Sequence, residues 1–90
     1  MKTLSDLPKI SSFRMKEATN KPEAIISIID VLKHNPLWLN KCTSAEFAIV
    51  YNMHTTQKRK SCLQLMSFQQ VRDLFIEIKT EYYKQLDLQF

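Results

Sequence analysis

Ninety residues, 44% apolar and 24% charged, describe one small globular domain near the lower size for a self-sufficient core, and they exclude disorder over most of the length. Glycine is absent, which excludes glycine-rich phosphate cradles and leaves left-handed turn positions to Asn, Asp, Pro and Ser or to longer loops. The net charge of +4 is uneven: residues 1–66 hold ten basic and five acidic side chains, and residues 67–90 hold three and four.

A basic body of this size fits a nucleic acid or an acidic protein partner, although +4 is also within what solubility alone needs. Cys42 and Cys62, with no apolar leader in Met1–Pro8, predict reduced thiols and a cytoplasmic protein. No apolar run approaches the ~20 residues of a membrane-spanning helix, so no membrane partner is expected.

Residues 1–19 are predicted to be a partly ordered arm, packing by Leu7, Ile10 and Phe13, with a short helical turn through Met15 and Ala18. Residues 20–90 form the single compact domain. Asn20 is a good N-cap, Glu23 lies three residues on, and Pro22 suits a first turn. The helix that follows is apolar over most of its circumference, with Ser27, Asp30 and His34 on the remaining face, so it must be covered on two sides. Asn35-Pro36 ends it.

Pro36–Asn40 reads as a tight connector or a short helical turn, with Trp38 plugging the core rather than stacking on a base or anchoring a partner. Residues 43–46 match a capping box that would start a helix at Ser44. Phe47–Met53, however, is a nearly continuous run of β-formers, and Cys62–Met66 alternates. The fold expected is therefore α+β, with a β-hairpin whose tip is Thr56–Lys60. The alternative is an all-α bundle with a helix-turn-helix. Ala48 would then be its small residue, Asn52 its turn residue, and Thr55 the cap of a second helix. Against it stands the lack of an apolar residue between Thr56 and Ser61.

Ser67 and Gln70 form a capping box for a long C-terminal helix. Phe68, Val71, Leu74, Phe75, Ile78, Tyr82 and Leu86 fall on one stripe. Asp73, Glu77 and Glu81 form an acidic row opposite, which argues against that helix lying on phosphate. Ile76, Tyr83 and Phe90, seven residues apart, mark a second seam for the core, a homodimer or another protein.

Candidate chemistry is sparse. His34 with Cys42 and His54 with Cys62 lack the ligand spacings of zinc sites, so neither metal nor cofactor is predicted. A Cys–His nucleophile would lack an orienting group and oxyanion donors, and Glu77-Ile-Lys79 sits in a helix rather than at a strand end. No enzyme is expected. The remaining candidate is the basic triplet Lys58, Arg59 and Lys60 with Gln57, Thr55 and Thr56, suited to phosphate contacts that position without reading sequence. Lys9, Arg14, Lys16, Lys21 and Lys41 would extend it if the arm folds back. Two functions follow. One is a small, dimeric, DNA- or RNA-binding regulator of transcription. The other is an inhibitor or adaptor of a larger protein, anchored through Ile76, Tyr83 and Phe90 or the hairpin edge.

Overall fold

The computed structural model describes residues 15–89, so the arm contacts expected of Leu7, Ile10 and Phe13, and the place of Phe90, lie outside the described residues. The order is α1 (Lys21–His34), a 3-10 helix (Leu37–Lys41), α2 (Ala45–Tyr51), α3 (Thr56–Leu65) and α4 (Phe68–Gln89). There is no strand among the described residues. The α+β expectation is wrong, and the all-α alternative fits the described residues.

The local physics of α1 follows its sequence. Asn20 Oδ1 accepts from the Glu23 backbone N–H at 2.9 Å. The Glu23 carboxylate does not return to Asn20. It accepts from the Thr19 backbone and hydroxyl instead, and these bonds hold it below the ordinary carboxylate range. Asn35 ends the helix in the left-handed region (φ 46°, ψ 54°), with its N–H on Val31 O. In a chain without glycine, Asn is the residue that adopts this conformation at least cost. Ser27 does not share an outer face with Asp30 and His34. It is buried, and its hydroxyl donates to Lys16 O at 2.6 Å. Its neighbour Ile26 is turned outward and is 55% exposed.

α1 packs on α4 and α3, and the 3-10 helix packs on α4. Ile28, Val31, Leu39, Val50, Leu63, Val71 and Ile78 are the deepest apolar side chains. Trp38 is in the core as expected, with its ring centroid 5.9 Å from that of Tyr82. Residues 15–18 are not helical, but Met15 and Ala18 pack against the core from one side. Lys79 pairs with Glu17, lowering the carboxyl pKa of Glu17 and tying this segment to α4.

The hairpin fails at both of its supposed strands. Ser44 Oγ accepts from Phe47 N–H at 3.1 Å and starts α2, so the capping signal outweighed the β-forming composition after it. Thr55 Oγ1 accepts from Lys58 N–H at 3.1 Å and starts α3. The missing apolar residue between Thr56 and Ser61 is offset in two ways. Leu63 is fully buried, and Arg59 donates through Nε to Val50 O (3.2 Å) and through Nη2 to Tyr51 O (3.0 Å). Those carbonyls belong to the last turn of α2, where intrahelical donors run out. Lys21 Nζ does the same for the end of α3, donating to Gln64 O (3.0 Å) and Met66 O (2.6 Å).

Candidate functional site

The basic triplet lies in the first half of α3, and helical geometry separates what a loop tip would have gathered. Successive side chains on an α-helix diverge by about 100°. Lys58 and Gln57 border a shallow groove with Met53, Cys62 and Leu65. Lys60 and Thr56 are on the flank that faces α1. Arg59 is half-buried and committed to the carbonyls of α2. Thr55 is a cap. The six residues therefore do not form one patch; they occupy two flanks and the root of one helix.

What the fold supplies instead is the helix itself. Of the ten residues of α3 only Leu63 is buried, and none is acidic. Thr56, Gln57, Lys58, Lys60, Ser61, Gln64 and Leu65 are exposed. Thr55 occupies the Lys58 N–H, while those of Thr56 and Gln57 have no acceptor among the described residues. An open helix N-terminus carries partial positive charge and free donors, which favour an anion. α2 and α3 are joined by residues 52–55, with Asn52 capping α2 and Thr55 capping α3. Asn52 and Thr55 stand where the all-α alternative put them, whereas Ala48, named as its small residue, is exposed.

Sequence reasoning missed Lys33 as a member of the basic surface. With Lys16 and Lys60 it borders the groove between α1 and α3, and Lys21 borders the adjoining stretch. Lys16 and Lys21 border the same groove as Lys60, with Lys21 Nζ committed to Gln64 O and Met66 O, whereas Lys9 and Arg14 lie outside the described residues. The signal was present in the i, i+4, i+8 and i+11 spacing of Pro22, Ile26, Asp30 and Lys33, which places Lys33 on the face of α1 that borders the groove.

On α4, Ile76 and Tyr83 are 46% and 47% exposed, and Phe68, expected in the core stripe, is 49% exposed. These three lie along one side of the helix, flanked by Arg72 and Lys79. Glu77, from the supposed acidic row, reaches across to cap α2.

Burial and the nearby charges of Glu77 and Glu81 push the Cys42 thiol up to about 12, leaving it neutral and unreactive. No three His, Cys, Asp or Glu side chains come together to hold a metal among the described residues. No helix among them is long and apolar enough to cross a membrane. No family model, curated protein or solved structure matches the chain.

Proposed function

We propose that the protein binds nucleic acid by laying the outer face of α3 against the phosphate backbone. The observation that carries this reading is the exposure of α3: ten residues without a carboxylate, anchored by one buried side chain, with an uncovered N-terminus. Lys58 on one flank and Lys60 on the other reach phosphates to either side of the helix, the N–H groups of Thr56 and Gln57 meet phosphate at its end, and Gln57, Ser61 and Gln64 reach beyond them. Arg59 takes no part, because its donors hold α2.

The test is fluorescence anisotropy with mixed-sequence duplex and single-stranded DNA and RNA at about 50 and 200 mM salt, where phosphate binding falls steeply. Replacing Lys58 and Lys60 together with Ala should flatten the log–log salt slope by about two. An unchanged slope and affinity would remove α3 as the interface.

A second reading is a protein-binding module, favoured by the exposed line of Phe68, Ile76 and Tyr83 on α4. It predicts little affinity for any of those nucleic acids. It also predicts that Tyr83→Ala leaves the fold intact, because that ring is half in solvent.

A further inference from the structure

The groove between α1 and α3 lies beside the proposed nucleic-acid face and has a different chemistry. Its α1 wall is Pro22, Ile25, Ile26, Ile29, Asp30 and Lys33, one face of the helix at i, i+3, i+4, i+7, i+8 and i+11. Its α3 wall is Thr56, Lys60 and Gln64. One part encloses about 350 Å³ and the adjoining part about 240 Å³, and both share Ile25, Ile26 and Lys60. From Pro22 to Lys33 the groove runs about 16 Å, or some three helical turns.

Two observations define what fits. The first is Ile26, a large apolar side chain 55% exposed on the groove floor. The second is the charge on the rim: Lys16, Lys21, Lys33 and Lys60 against the single carboxylate of Asp30, which lies 3.8 Å from His34 Nδ1. Lys21 closes one end by capping α3, and the bond from Ser27 to Lys16 O fixes the backbone that carries Lys16. Lys16, Lys33 and Lys60 have no partner among the described residues.

A phosphodiester chain would satisfy the lysines and leave Ile26 uncovered. A stacked base would need an aromatic platform, and no aromatic side chain lines the groove. An amphipathic peptide with an apolar stripe and acidic flanks satisfies both. We infer that the α1–α3 groove is a docking site for an acidic amphipathic helix of a partner protein, seated on Ile26 and held by Lys16, Lys33 and Lys60.

The probe is a fluorescein-labelled peptide of about eleven residues, the length that spans the groove, with Leu at i, i+3, i+4 and i+7 and Glu elsewhere. The full chain should bind it saturably. Ile26→Glu and Lys33→Glu should each weaken binding at least about tenfold, and Lys58→Glu, on the other flank of α3, should leave it unchanged. A matched peptide with Gln in place of Glu should bind at least about tenfold more weakly. Ile26 is largely in solvent, and circular dichroism of Ile26→Glu checks that the fold survives. Absence of saturable binding, equal binding of the Gln peptide, or indifference to Ile26→Glu would each overturn the inference. The α3 reading is judged separately: the neutral Ile26→Ser, which adds no charge beside Lys60, should weaken the peptide and leave nucleic-acid affinity intact, whereas Lys58→Glu should reduce nucleic-acid affinity and leave the peptide unchanged.

Discussion

Glu77, in the middle of α4, caps the helix that begins at Ser44. Its Oε2 accepts the backbone N–H groups of Thr43 and Ser44 at 3.0 and 3.1 Å, and its Oε1 accepts the Ser44 hydroxyl at 2.5 Å. Ser44 in turn uses the same hydroxyl oxygen to accept from Phe47 N–H. One carboxylate thereby fixes where α2 starts and ties it to α4, complementing the positive end of α2.

Removing this carboxylate should therefore destabilise the whole domain. Glu77→Ala is expected to cost about 1–3 kcal/mol, because the donors it leaves lose a charged acceptor. Glu77→Gln should cost less, since one amide oxygen can still accept. Urea denaturation followed by circular dichroism measures both. A midpoint for Glu77→Ala equal to that of the parent would show that the cap contributes nothing.

Arg59 should behave as a structural residue in the midst of a basic run. Arg59→Ala is predicted to cost about 1–3 kcal/mol of stability, because Tyr51 O loses its donor and Val50 O keeps only the backbone N–H groups at the end of α2. Arg59→Lys should not restore it, because an ammonium cannot reproduce the planar donor pair. Lys58→Ala, fully on the surface, should stay within about 0.5 kcal/mol. Thermal melts of the three variants decide the matter, and equal stability of Arg59→Ala and Lys58→Ala would refute the assignment.

The two thiols should separate by reactivity. Cys42 is buried and its thiol is pushed up from 9.0 to about 12, while Cys62 is half-exposed. Iodoacetamide near neutral pH should modify Cys62 first and reach Cys42 only on unfolding. The linkage has a definite sign. Above pH 9.0 the unfolded chain releases the Cys42 proton and the folded chain retains it, so stability is level below that pH and falls as pH rises toward 12. Cys42→Ala should show a shallower alkaline decline in its urea midpoint. Parallel declines in parent and variant would contradict the shift.

The two long helices could be read because their signals are local. Asn20 caps α1 as its position before Pro22 and Glu23 implied, and Ser67 with Gln70 forms a reciprocal box at 2.9 and 3.1 Å. The α2–α3 corner was misread because its signals conflict. The capping residues Ser44 and Thr55 point to helices, whereas the run from Phe47 to Met53 has no polar stripe and suits a buried strand equally well. Both caps won, because helices α2 and α3 could be completed by partners remote in sequence: Glu77 for the first, Lys21 for the end of the second.

The candidate site divides along the same line. The chain's own order placed Lys58, Arg59 and Lys60 together, and only their number and charge could be read there. Rotation along α3 decided that Lys58 and Lys60 would face different flanks and that Arg59 would turn inward. By itself, the sequence determined the caps of α1 and α4, the core stripe from Val71 to Tyr82 and the excess of positive charge, since each depends on residues within a few turns of one another. Tertiary structure decided between strand and helix for Ala45–Tyr51 and Thr56–Leu65, left Ile26 exposed among Lys16, Lys33 and Lys60, and made Glu77 a cap. Those outcomes depend on which side chains meet across tens of residues, and no local spacing encodes such a meeting.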